Sequence, residues 1–212
     1  MDTNLFVIFG SSFLIALSGA LMPGPLLSVT ISESIQRGAL AGPRIVAGHA
    51  ILEMALIAAL MLGLAPFLAD EDVFAAIALG GAFFLLWMAL GMFRSLPKLR
   101  IELGDVPSRG KGHVLAGITM SLANPYWVLW WATIGLGYVL YCRQFGVAGI
   151  VFFFSGHILA DFLWYGVVSL AMAKGRHLMS DYLYRALIGV CAGALVFFSG
   201  YFVYTGLRVF MA

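Results

Sequence analysis

Four ionisable side chains stand inside long apolar stretches at a repeated spacing. His49 and Glu53 lie four apart in Gly48-His49-Ala50-Ile51-Leu52-Glu53, and His157 and Asp161 lie four apart in Gly156-His157-Ile158-Leu159-Ala160-Asp161. On a helix that spacing puts both members of a pair on one face, about 6 Å apart along the axis. An ionisable group at the centre of a bilayer costs about 2.5–3.5 kcal/mol on insertion scales, so four of them need a reason. Three chemistries fit. Imidazole beside carboxylate makes a proton relay or a cation gate. Two imidazoles and two carboxylates are also a divalent-metal set. The same groups can serve structure alone, as interhelical hydrogen bonds.

Two further motifs interrupt apolar helices. Pro23-Gly24-Pro25 removes two backbone donors and pushes the residue before each proline out of the helical region. A half-helix should end near Met22 and another start near Pro25, where proline suits the first turn. Asn124-Pro125 repeats the device, with Asn124 able to cap the new helix. Each restarted helix is expected to point free N–H groups and its positive dipole end inward, and together they would form an anion pocket suited to a carboxylate. Pro23, Gly24, Pro25, Asn124 and Pro125 are therefore the candidate substrate-binding residues. A simple kink at each proline is the plainer alternative.

The elements that must position these residues follow from composition. Of 212 residues, 62% are apolar and 10% charged, with 12 Lys+Arg against 10 Asp+Glu. A soluble domain carries about 25% charged residues. The composition excludes a soluble enzyme, a nucleic-acid binder and a disordered tail, and predicts an all-α integral membrane protein. Six apolar segments run roughly over Leu5–Ser34, Ile45–Ala69, Val73–Phe93, Val114–Tyr141, Phe145–Ala173 and Leu183–Met211. The breaks between them are short except Arg94–Gly112, read as a mobile connector. The N-terminus lacks the basic start of a signal peptide and reads as an uncleaved first span. The segments after spans one, three and five hold Arg37, Arg44, Arg94, Lys98, Arg100, Arg109, Lys111, Lys174, Arg176 and Arg185; the other side holds Arg143 and Arg208. The bias places the first set in the cytoplasm and both termini outside.

A proline-broken span, a span with Gly-His-x-x-x-acid and a plain span occur in that order twice. Each unit has three spans, so the second must sit upside down relative to the first. The expected fold is six transmembrane helices as two inverted three-helix repeats, helices one and four being broken at the proline motifs. Residues 1–95 form the first repeat, 96–112 a cytoplasmic loop and 113–212 the second repeat. Inverted repeats with broken helices place a substrate site near the bilayer midplane. Spans two and five run in opposite directions, so Glu53 and Asp161 should converge at mid-depth while His49 and His157 flank opposite mouths.

Lesser candidates have both plain and functional readings. Glu33 lies one turn from Arg37 and suits a salt bridge. Ser28, Thr30 and Ser32 line a pore or bond back to their own helix. Trp127, Trp130 and Trp131 pack the bundle, sit in an interfacial belt or offer a cation–π wall; Trp164 and Tyr165 share that ambiguity. Gly80-Gly81-Ala82 and Cys191-Ala192-Gly193-Ala194 read as close helix contacts. Cys142 and Cys191 form no CxxC pair, so a disulfide-relay carrier is rejected, and no P-loop supports ATP hydrolysis.

The whole pattern resembles the LysE/RhtB family of amino-acid exporters. The resemblance rests on Pro23-Gly24-Pro25, on Gln36-Arg37-Gly38-Ala39-Leu40-Ala41-Gly42, and on the second half from Gly117-Ile118-Thr119 through Asn124-Pro125. It covers roughly residues 11–211. It implies a six-span plasma-membrane exporter of amino acids or related metabolites, not an enzyme, driven by the proton gradient and needing no cofactor. The family's acidic positions fall on Glu53 and on Asp161-Phe162-Leu163-Trp164. Leu26 departs from the polar residue that many members carry after the proline motif, and His49 and His157 are additions. The expected partners are an amino acid, protons and the lipid bilayer, with a homodimer open to it. A divalent-cation exporter using the His/carboxylate pairs is the alternative.

Overall fold

The computed structural model describes residues 2–68, 70–100, 110–175, 177–178 and 180–209, and every regular element among them is helical. The helices of six residues or more are α1 (Asp2–Ala20), α2 (Pro25–Arg37), α3 (Ala41–Ala59), α4 (Glu71–Ser95), α5 (Gly110–Leu122), α6 (Pro125–Trp130), α7 (Leu136–Arg143), α8 (Gly146–Gly175) and α9 (Asp181–Val209). A π-helical turn at Leu60–Leu64 extends α3, and another at Trp131–Gly135 joins α6 to α7. The central part of the long connector, residues 101–109, lies outside the described residues. Its flanks are more ordered than expected: a 3-10 turn covers Leu96–Lys98, and α5 starts at Gly110.

Four stretches are long and apolar enough to cross a membrane: Ala41–Leu64, Glu71–Lys98, Gly146–Gly175 and Asp181–Val209. The pair Asn4–Ala20 and Pro25–Arg37 adds a fifth if its 80° bend is read within one span. The remaining expected segment, Val114–Tyr141, is not one long helix. It divides at Asn124-Pro125 into α5 and the α6–α7 stretch, so the helical chain is broken at both proline motifs.

Solvent preference is turned inside out. Phe83, Trp87, Leu62 and Val147 are exposed, whereas Ser34, Glu53, His113, Ser121 and Ser169 are buried. In hydrocarbon the apolar side chains face lipid, and the polar ones must find partners inside.

Small residues let the helices approach closely. Ala75, Ala78, Ala82, Leu85 and Ala89 recur at intervals of three and four along α4 and are buried. They meet Leu195, Ser199, Phe202 and Gly206 of α9, where Ser199 Oγ also donates to the Ala82 carbonyl at 2.8 Å. At Gly48 of α3 a Cβ would lie 1.9 Å from the Val114 carbonyl oxygen of α5, and at Gly156 of α8 one would lie 2.3 Å from that of Phe9 in α1. The helices carrying the His/acid pairs thus each lean, through the glycine before the histidine, on a proline-broken stretch. Of the expected glycine contacts, Gly81 makes one, with Pro125; Gly80 and Gly193 face no neighbour within 4 Å.

Hydrogen bonds gather the basic segments at one end. Arg185 Nε donates to the Leu99 carbonyl at 2.9 Å, and the Tyr184 hydroxyl to Ser32 at 3.0 Å. Ser169 Oγ donates to the Ala39 carbonyl at 2.8 Å and accepts from the Gly42 amide at 3.0 Å. The turn between α2 and α3 here needs Gly38, whose φ of 91° is a conformation L side chains resist. At the other end, Phe6 packs on Phe152, and Ser11 bonds the Tyr138 hydroxyl.

Candidate functional site

The two helix breaks meet. Gly24 is extended and caps α2 without a side chain; the first bond of the helix runs from the Ser28 amide to the Gly24 carbonyl at 3.0 Å. The amides of Leu26 and Leu27 precede that bond and belong to the orphan donors of a helix start. Across the break, a Cβ on Gly24 would lie 3.6 Å from Asn124 Nδ2. Gly81 of α4 makes room for the second break, since a Cβ there would lie 2.0 Å from that of Pro125.

The two helix starts are not equivalent, which corrects the expectation of two free N-termini. Asn124 Oδ1 accepts from the Tyr126 amide at 3.1 Å, and the Asn124 carbonyl accepts from the Trp127 amide at 3.0 Å. With proline supplying no donor at the first position, the amides that open α6 are already satisfied. The start of α2 has no such side chain, so it alone keeps uncapped amides. Pro23, Gly24 and Asn124 all border the cavity described below.

The four ionisable groups form one cluster. Glu53 is 1% exposed, and His49, His157 and Asp161 are 5–6% exposed. His49 Nε2 lies 3.1 Å from Glu53 Oε1 and 3.7 Å from Asp161 Oδ2. His157 Nε2 lies 3.2 and 3.1 Å from the two Glu53 oxygens and 3.9 Å from Asp161 Oδ2. The carboxylates converge as expected, but the histidines do not flank opposite mouths. Helices α3 and α8 face each other antiparallel, so each histidine lies opposite the other helix's acid, and the 6 Å stagger along each axis is closed by side-chain reach.

The carboxylates have unequal surroundings. Glu53 Oε1 accepts from the indole N–H of Trp127 at 3.1 Å and of Trp131 at 3.0 Å, besides its imidazole contacts. Among the described residues, Asp161 is approached by the two imidazoles alone, at 3.7 and 3.9 Å. His49 Nδ1 lies 2.7 Å from Ser121 Oγ, whose own proton goes to the Gly117 carbonyl at 2.7 Å. Both ring nitrogens of His49 therefore face acceptors, an environment that a doubly protonated ring satisfies. His157 sits in an aromatic box, its centroid 5.0, 5.5 and 5.8 Å from Trp130, Trp131 and Phe153.

A cavity of about 70 Å³ joins these parts, with Gly24, Asn124, Glu53, Asp161, Trp130 and Tyr165 among its walls. His49, Glu53 and Asp161 also present ligand atoms within 4.8 Å of one another, the one cluster of metal-ligating type among the described residues. The donor set fits a metal only in part. Glu53 is already held by two indole N–H groups, which do not deprotonate to make way for an ion.

Several other side chains are decided by these contacts. Trp127 and Trp131 prove to be donors as well as packing groups, whereas the buried indole N–H groups of Trp130 and Trp164 have no partner among the described residues. Residue type did not reveal this, because an indole N–H identifies its acceptor only once the helices are docked. Ser121, the support of His49, had no signal in the sequence beyond its place three before Asn124. Arg37 Nε and Glu33 Oε2 make the expected salt bridge at 2.7 Å, and His113 joins it at 2.9 Å. Ser28 bonds back to the Gly24 carbonyl at 3.1 Å, so its hydroxyl is not free to line a pore. Cys142 and Cys191 are buried and unpaired with each other.

Residues 17–206 match the family model described as LysE type translocator. No curated protein and no solved structure matches the chain.

Proposed function

The chain belongs to the LysE type translocator family, and from that premise we propose that it is a secondary active exporter of the plasma membrane, moving an amino acid or related small metabolite outward in exchange for protons. The observation that carries this reading is the buried His/acid cluster opening onto the same cavity as an uncapped helix start. A zwitterion has one group for each. Its carboxylate meets the Leu26 and Leu27 amides and the positive end of α2, an attraction of about 0.3–1 kcal/mol for a helix end and more when buried. Its ammonium group meets the Glu53 and Asp161 side of the cavity. A proton and an ammonium group compete for the same negative site, and that competition is the simplest basis for antiport.

Six spans in two inverted repeats, with both termini outside, complete the proposal. Two features support it. The α3/α5 and α8/α1 contacts exchange under a repeat operation that maps the first three spans onto the last three, and α4/α9 maps onto itself. The basic segments after spans one, three and five are bonded together at one end.

The test is flux into inverted proteoliposomes with and without a pH gradient, using a panel of amino acids and divalent metals. Gradient-dependent uptake of an amino acid is expected. The spacing of His49, Glu53 and Asp161 favours the second reading, a divalent-cation exporter. Metal flux without amino-acid flux would put that reading in place of the first.

A further inference from the structure

We infer that the two carboxylates of the cavity divide the work: Asp161 takes the cationic group of the substrate, and Glu53 is a fixed counter-charge held away from it by the indoles of Trp127 and Trp131. The inference rests on the amino-acid reading of the same site and assigns its residues.

Occupancy of the oxygens carries the argument. Glu53 Oε1 receives two indole N–H groups at 3.1 and 3.0 Å, with His49 and His157 Nε2 at 3.1 and 3.2 Å. Its other oxygen lies 3.1 Å from the same His157 nitrogen, has no hydrogen-bond partner of its own among the described residues and is sealed from the cavity by burial. A carboxylate oxygen offers about two lone-pair sites, so Oε1 is fully taken, and Oε2 is too buried for a substrate to reach without displacing His157. Asp161 is the opposite case. It borders the cavity as Glu53 does, but among the described residues no donor hydrogen-bonds to it, and its two imidazole neighbours stand off at 3.7 and 3.9 Å. A buried carboxylate without donors is costly, and a cationic ligand brings the missing hydrogen bonds.

The remaining groups around it agree. His49 is engaged by Glu53 and Ser121, and His157 by Glu53 and its aromatic box. Tyr165, one turn further along α8, also borders the cavity. Trp127 and Trp131 are positioning residues: they touch Glu53 and fix where its charge lies. Being on α6 and the π turn after it, they tie that charge to the restarted helix beyond the second break.

The experiment uses the purified full chain in proteoliposomes at equal pH on both sides, exchanging labelled leucine, threonine or lysine. Competitors are the unlabelled amino acid and its hydroxy-acid analogue, which lacks the ammonium group. The native protein should prefer the amino acid. In Asp161→Asn that preference should fall about ten-fold or more, the loss of one charge-assisted hydrogen bond. In Asp161→Glu it should be retained, and in Glu53→Gln it should persist while the exchange rate falls. Infrared difference spectra on adding substrate provide the second readout. A carboxyl change should appear in the native protein and Glu53→Gln and be absent from Asp161→Asn. Trp131→Phe should add a second carboxyl signal that disappears in the double variant with Glu53→Gln; a mere packing role for Trp131 adds none.

Loss of the preference in Glu53→Gln with its retention in Asp161→Asn overturns the inference, as does a carboxyl signal that survives in Asp161→Asn. If Asp161→Asn does not assemble, Asp161→Glu decides. Its substrate-induced band should move from the aspartate to the glutamate position, and a band that stays put overturns the inference. Native protein that exchanges no amino acid, neither these three nor any other of the flux panel, brings down the underlying reading and this inference with it, a failure visible before any variant is made.

Discussion

Glu53 shows how a charge is kept in an apolar molecule. Its burial is tolerable because neighbours on three different stretches aim donors at one oxygen, and each of those donors is correspondingly costly to lose. Trp127→Phe and Trp131→Phe each remove a hydrogen bond to an ionised group, worth about 1.5–3 kcal/mol. Each variant should melt measurably lower than the native protein in detergent. The double variant should differ from the sum of the two, because the donors share an acceptor. Ser121→Ala tests the next layer. It leaves His49 Nδ1 buried without its partner at 2.7 Å, a cost of about 1–3 kcal/mol, and should destabilise the protein although Ser121 carries no charge. Equal melting of native and Ser121→Ala protein would show that a water or another group replaces the hydroxyl.

At the scale of elements, the helix breaks and the glycine contacts make separate claims. Asn124→Ala removes the side-chain cap of α6, a loss of about 0.5–2 kcal/mol. It also frees the Tyr126 amide toward the cavity, so stability should fall while an anionic substrate group gains a donor. Gly48→Ala should be far more damaging, because its Cβ would meet the Val114 backbone at 1.9 Å, where no side chain can swing away. Gly117→Ala, against the Ile45 carbonyl at 1.9 Å, should damage the same interface. Gly80→Ala, with open space around it, should be silent or slightly stabilising through helix propensity. Yields of monodisperse protein from the three variants decide the point. Equal yields would mean that α3 and α5 are not in contact in the membrane.

For the molecule as a whole, orientation is the prediction. Single cysteines can be placed at exposed Leu40, Leu178 and Val147, in a background whose Cys142 and Cys191 are replaced. A membrane-impermeant thiol reagent added to intact cells should label the Val147 position and spare the other two. In inverted vesicles the pattern should reverse. Labelling of all three from one side would remove the alternation on which the inverted-repeat proposal depends, and with it the reason for placing both termini outside.

Membrane residence, the two helix breaks and the paired acids were legible in residue order alone. Each depends on local rules: the cost of charge in hydrocarbon, the missing donor of proline, and the four-residue period that puts His49 beside Glu53 and His157 beside Asp161. The approach of Glu53 to Asp161 was also expected, from reading spans two and five as running in opposite directions. Docking decided the rest. That the histidines lie between the acids, and not at separate mouths, depends on how closely α3 approaches α8. That Asn124 satisfies its helix start while Gly24 leaves the other open depends on a side-chain rotamer and the presence of one Cβ. That Glu53 is crowded with donors and Asp161 is not depends on where the indoles of Trp127 and Trp131 point after the π turn. Spacing along a chain reports which groups share a face. Only the packed bundle determines which hydrogen bonds those groups have already spent on one another.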